Sequence, residues 1–170
     1  MLISHYSRRV SRVFPVVCVG LISSLFANPT IAATTTTTFN ITATVVATCQ
    51  ISAAPLAFGN YSGALTNSTS TIIATCTNTS PYNIGLNAGT ATGATVTARK
   101  MTGPAAALLN YNLYSNAGMT TNWGNTVGTD TVTGTGSGTA QNLTVYGSIP
   151  AGQLIAPGSY TDTITATITY

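Results

Sequence analysis

The stretch Ser159-Tyr160-Thr161-Asp162-Thr163-Ile164-Thr165-Ala166-Thr167-Ile168-Thr169-Tyr170 alternates without a break. From Tyr160 on, every odd position is Thr, and the even positions are Tyr160, Asp162, Ile164, Ala166, Ile168 and Tyr170. A period of two sends the two sets to opposite faces of a β-strand. The row Ile164, Ala166, Ile168 and Tyr170 is expected to face a core or a partner, with the Thr row on the other side. The strand is β-branched, free of Pro and Gly, and charged only at Asp162. It closes the sequence, so no later strand is expected to cover its outer edge. An open edge of this kind invites aggregation unless it has a use, and the use it suits is pairing with another chain.

The sequence starts differently. Arg8, Arg9 and Arg12 form a basic head, Val13 to Phe26 is apolar, and Ala27 to Ala33 is small and polar. This is the pattern of a secretory signal peptide over residues 1–33, with the mature chain starting at Ala33 or Thr34. A transmembrane anchor is the alternative, but the apolar run of about 14 residues is short of the roughly 20 that span a bilayer. His5 and Cys18 leave with the signal.

Removing that segment changes the charge balance. The formal net charge of +3 belongs mostly to residues 1–33, and the remainder keeps only Arg99, Lys100, Asp130 and Asp162, which cancel. Nucleic-acid binding needs basic density to neutralise phosphates, and here there is none. Thr is abundant and favours strands over helices. Cys49 and Cys76 remain as a pair. In an exported chain they are expected to form one disulfide, and closing that loop contributes roughly 3–4 kcal/mol. Free thiols or metal ligands are the alternative, but without His and with almost no carboxylate a metal has no further ligands.

Alternating segments recur along the rest of the chain. Phe39, Ile41, Ala43 and Val45 share one face, opposite Asn40, Thr42 and Thr44. Ala54 to Phe58, Thr69 to Cys76, Pro81 to Leu86, Ala94 to Met101, Leu109 to Tyr114 and Asn142 to Ile149 follow, separated by Gly, Asn, Pro and Ser clusters. Pro104 to Leu109 is long enough for one helical turn. Gly124 to Gln141 reads as a long loop with a weak strand near Thr131 to Thr133. The expected fold is a single all-β sandwich of about seven or eight short strands.

Catalysis has little to draw on. Asp130 and Asp162 each precede Thr, but neither continues into an aspartic-protease Asp-Thr-Gly, and no His is left for a triad. Lys100 has no motif around it. No cofactor is expected, and the chain is not read as an enzyme. Trp123, Tyr111 and Tyr114 could form a sugar-binding platform or fill the core, and packing is the more ordinary role. The sequons at Asn40, Asn67, Asn78 and Asn142 carry little weight in so Thr-rich a chain.

Taken in order, the short motifs resemble a known family. They are Phe39-x-Ile41-x-Ala43-x-Val45, Cys49, Leu56-Ala57-Phe58-Gly59-Asn60-Tyr61, Cys76 and Leu86 to Gly89. Arg99-Lys100-Met101, Leu109 to Tyr114 and Trp123-Gly124 follow, then Val145 to Pro150, Gln153 and Pro157 to Asp162. The string is similar to the spore coat protein U domain, whose family includes pilin subunits of archaic (Csu-type) chaperone–usher pili. That resemblance implies an incomplete immunoglobulin-like β-sandwich completed by a donor strand. Residues 34–48 would be the N-terminal extension and 49–170 the domain. A periplasmic chaperone would first complete the fold, and at the outer-membrane usher the extension of a neighbouring subunit would replace it. The donor row would be Phe39, Ile41, Ala43 and Val45. The acceptor strand would carry Ile164, Ala166, Ile168 and Tyr170. The product would be a cell-surface fimbrium, secreted through the periplasm and supporting adhesion and biofilm formation. From alternation alone, 39–45 could equally be the domain's own first strand. A secreted spore-coat-type or carbohydrate-binding sandwich module is the alternative function.

Overall fold

The computed structural model describes residues 30–170. The signal reading for 1–33 falls almost wholly outside them. The chain divides after Thr42 into two units. Residues 30–42 carry no regular secondary structure, and the domain occupies the rest.

Eight strands build that domain: β1 Cys49–Ala53, β2 Thr66–Cys76, β3 Pro81–Leu86, β4 Arg99–Thr102, β5 Leu108–Tyr114, β6 Val132–Thr135, β7 Ala140–Ile149 and β8 Ala166–Thr169. They form two sheets, β1-β2-β7-β5-β4 and β6-β3-β8. Every ladder is antiparallel. The result is an all-β, immunoglobulin-like sandwich.

Alternation explains the packing. Ile72, Ala74 and Cys76 of β2, Val145 and Ile149 of β7, and Leu109, Tyr111 and Leu113 of β5 are buried on the inner face of the larger sheet. Tyr82, Ile84 and Leu86 of β3 oppose them. Trp123, 1% exposed, closes the core from the β5–β6 loop and donates its indole N–H to the Ile84 carbonyl at 2.8 Å. Trp123 and Tyr111 therefore pack, and are not available as a sugar platform. Cys49 and Cys76 face each other across the β1–β2 ladder and are joined in a disulfide, with their Cα atoms 4.1 Å apart. A Cys76→Ser variant should lose about 3–4 kcal/mol of stability. Urea denaturation of the oxidised wild type and the variant measures this; equal midpoints would show that the bond contributes nothing.

Three segments depart from the sequence reading. The alternating residues 39–45 form no strand, and the first ladder starts instead at Cys49–Ala53. Ala94 to Met101 pairs only from Arg99, because Thr95 and Ala98 bridge each other in a turn. The weak strand near 131–133 is real but sits at Val132–Thr135, where Gly134 lies beneath the Tyr82 ring. The turn over Pro104–Ala106 is a single 3-10 turn.

Candidate functional site

The terminal strand is the largest departure, and it creates the site. Its ladder covers only Ala166–Thr169, paired with β3 from Leu86 to Asn83. Further back, Thr161 bridges Thr102 at the end of β4, with N–H···O distances of 2.9 and 3.1 Å. The segment thus leaves one sheet at Thr161 and joins the other at Ala166. The backbone between must find other partners. Asn87 supplies two of them: its N–H donates to the Thr165 carbonyl and its side-chain oxygen accepts from the Thr165 N–H.

The facing follows the period of two. Tyr160, Asp162, Ile164, Ala166 and Ile168 are half-buried, and every Thr from 161 to 169 is exposed. Ile164, Ala166 and Ile168 pack against the core. Tyr170 does not join the row: it lies beyond the last ladder pair and is exposed.

β8 is an edge strand, and so is β1 in the facing sheet. The two edges lie in contact with each other. An apolar groove of about 400 Å³ opens past the end of β1 and before the start of β8, between residues 53–58 and 160–166. One rim is Ala53, Leu56 and Phe58, the other is Tyr160, Ile164 and Ala166. Its floor is core: Ile72, Leu86, Leu113 and Val145. A second opening of about 840 Å³ shares Leu56, Phe58, Met101 and Tyr160 with the first and extends between residues 56–63 and 153–160.

The first rim is held without a ladder. Ala54 donates its N–H to the Thr71 carbonyl, and the inward hydroxyls of Ser68 and Ser70 donate to the carbonyls of Ala57 and Ala54 at 2.6 Å. Gly147 of β7 lets Leu56 and Phe58 settle onto the sheet; a Cβ there would stand 2.8 Å from the Phe58 ring. Phe58 then meets Tyr111 edge-on, ring centroids 6.1 Å apart. Tyr61 donates its hydroxyl to the Pro150 carbonyl at 2.7 Å and accepts the Gln153 N–H, linking this rim to the chain leading into the other.

The second rim is pinned by Asp162. Its carboxylate accepts the Tyr111 hydroxyl at 2.7 Å, and the Thr90 N–H and hydroxyl at 2.8 and 2.9 Å. It rests directly against Gly89, whose φ of +88° also favours glycine. Burial pushes the Tyr111 phenol far above its ordinary pKa, and the Asp162 hydrogen bond and charge add to this. The pin is a feature the sequence reading missed; there Asp162 is only the single charge of an alternating strand.

Arg99 was missed too. It is 0% exposed and meets no carboxylate directly. Its guanidinium donates instead to the carbonyls of Asn87, Val96, Leu86 and Trp123 at 2.6–2.9 Å. Burial lowers its pKa, opposed by Tyr111, Asp130 and Asp162. Asp130 itself accepts the Thr126 N–H at 2.7 Å. Among the described residues no three of His, Cys, Asp and Glu come together as a metal could use them.

The other candidate row lies on 39–45. Phe39, Ile41 and Val45 are 80, 84 and 84% exposed, and Ala43 is exposed as well. These are large apolar side chains left in solvent, as is Val46 of the opposite phase at 67%.

The fold is a two-sheet antiparallel β-sandwich with an open apolar groove and an exposed apolar segment before its first strand. Residues 35–167 match the spore coat protein U domain. The chain is 35% identical over 160 residues to Protein U of Myxococcus xanthus, covering 84% of this chain and 89% of that relative. It belongs to the spore coat protein U domain family. Its fold is similar to a chain in the crystal structure of the CsuC–CsuE chaperone–tip adhesion subunit pre-assembly complex, from archaic chaperone–usher Csu pili of Acinetobacter baumannii. That similarity has a TM-score of 0.56 at 24% identity and covers 75% of this chain. The chain spans only 40% of that solved chain's length.

The facing of the terminal strand gives a direct prediction. Ile168→Asp puts an unpaired charge against the core and should lower subunit yield severely, by 3 kcal/mol or more in stability, roughly. Thr167→Asp, on the exposed face, should stay within about 0.5 kcal/mol of wild type. Equal yields from the two would contradict the facing.

Proposed function

We propose that this protein is a structural subunit of a surface pilus, assembled by the chaperone–usher pathway through donor-strand complementation. The observation that carries the reading is the pairing of an unfilled apolar groove with an exposed apolar row of matching period. The groove between residues 53–58 and 160–166 is apolar and open, and a donated strand would fill it. Phe39, Ile41, Ala43 and Val45 form a row that could fill it in a second copy. A chain cannot keep both features in water at no cost, since exposed apolar surface and open edges promote indiscriminate association. A periplasmic chaperone would cover the groove first. The outer-membrane usher would then exchange that cover for residues 34–48 of a neighbouring subunit. The protein would pass through the periplasm and end in a cell-surface fimbrium. Adhesion and biofilm formation are the roles such a fibre would support. The family and the similarity to the Csu complex chain favour this reading over a secreted carbohydrate-binding module. The module reading also loses Trp123 and Tyr111 to the core.

The test is the state of the exported protein. Unboiled samples should run on denaturing gels as a ladder of multimers that collapses to one band on heating. An intact, self-contained monomer at every concentration would support the module instead.

A further inference from the structure

We infer that Asp162 sets the register of the inserted strand, and that the residue opposite it is Ala43 of the neighbouring copy. This rests on the donor-strand reading and assigns its pairing.

The acceptor row runs Tyr160, Asp162, Ile164, Ala166, Ile168, so it is apolar except at one position. That exception cannot swing away. Asp162 is held by the Tyr111 hydroxyl and by the N–H and hydroxyl of Thr90, and it is seated against Gly89. It also lines the groove. Whatever side chain the donor brings to this point meets a fixed carboxylate that already accepts from Tyr111, Thr90 and Thr163, and a branched apolar group there would bury its charge further.

The donor row is Phe39, Ile41, Ala43, Val45, with one small residue. A strand can slip only in steps of two residues if its apolar set is to keep facing the core. Every ladder in the domain is antiparallel, and antiparallel addition is taken for the donor as well. Ala43 opposite Asp162 then places Val45 opposite Tyr160, Ile41 opposite Ile164, and the large Phe39 opposite the small Ala166. Slipping one step either way brings Ile41 or Val45 onto the carboxylate. Slipping two steps brings Phe39 onto it in one direction and Ala47 in the other. Ala47 is small enough, but it has no slack. Its neighbour Thr48 is tied to Thr77 of its own domain through two backbone–hydroxyl bonds and a backbone pair. One in-phase register remains.

The experiment uses full-length exported chains carrying two different tags, mixed during assembly. One carries a cysteine at Phe39, Ile41, Ala43 or Val45, the other Ile164→Cys, so that Asp162 stays in place. Covalent dimers are read on non-reducing gels and the bonded peptides mapped by mass spectrometry. The 41–164 pair should dominate the 39–164 and 43–164 pairs by roughly tenfold or more, since a slipped strand turns pockets onto the wrong side chains. Dominance of 39–164 or 43–164 overturns the register and leaves strand donation standing. So does dominance of 45–164, which signals parallel insertion. Absence of every intermolecular bond in multimeric protein overturns donation itself. A second arm needs no new cysteine: Ala43→Leu should lose multimer formation, and Ala43→Gly should keep it. Equal assembly by Leu and Gly would also overturn the assignment.

Discussion

If the protein assembles by strand donation, deleting residues 34–45 is expected to abolish multimer growth while leaving the domain folded and open to capture by a periplasmic chaperone. The deleted segment holds Phe39, Ile41 and Val45, each more than three-quarters exposed, and none of them lies in a strand. Burying each in a neighbour's groove is worth roughly 1.5–3 kcal/mol. The three together come to about 6 kcal/mol, or roughly four orders of magnitude in an equilibrium constant. Backbone pairing along both edges of the groove adds to that. The truncated subunit keeps its own groove, so it could still accept a strand from another copy but not donate one. It should therefore cap a growing fibre. Co-purification with the chaperone measures folding, and an unboiled gel measures polymer. A single Ile41→Asp change should act in the same direction. If the truncated subunit fails to fold with the chaperone present, residues 39–45 belong to the domain's own core.

The second large effect is expected at Arg99, buried in the core beneath the groove. Arg99→Met keeps an unbranched apolar stem, shorter than the arginine, and removes every donor. The carbonyls of Leu86 and Trp123, buried with it, would then lose their partners, as would those of Asn87 and Val96. An unmade bond at a buried polar group costs about 1–3 kcal/mol. With several such groups the loss is on the order of 4 kcal/mol, a large share of the stability of a domain this size. Arg99→Lys should recover little, because one ammonium cannot reach carbonyls spread over the loops after β3 and β5. Urea midpoints of the oxidised subunit measure both variants. A midpoint unchanged in Arg99→Met would show that water replaces the guanidinium at no cost.

Much of this was legible in the residues, and the limits have physical causes. Strong local alternation located β3, β5 and β7 to within two residues, because a period of two over a half-buried face is set by the side chains themselves. The facing of Ile164, Ala166 and Ile168 followed from the same period. What periodicity cannot show is which sheet a strand joins. The terminal segment alternates evenly from Tyr160 to Tyr170, yet its backbone changes sheets between Thr161 and Ala166. The Ser68 and Ser70 hydroxyls that hold the groove's first rim are likewise invisible in sequence, since each looks like one more polar strand residue. The burial of Arg99 left no local signal, because its partners are backbone carbonyls that any residue supplies. The 39–45 segment shows the converse. Its alternation is as clean as that of any strand, but alternation specifies a face and not the molecule that covers it.

Hydrogen exchange over residues 39–45 separates a donated strand from an idle extension. Purified multimers and the chaperone-bound subunit would be labelled side by side and the segment followed by mass spectrometry. In the chaperone-bound subunit these amides should exchange at the rate of an unstructured chain. In the multimers they should slow by on the order of a hundredfold or more, since each would sit in an inter-subunit ladder whose opening requires the strand to leave. Fast exchange at 39–45 in intact multimers, or equal protection in both states, would contradict donation of this segment to a neighbouring copy.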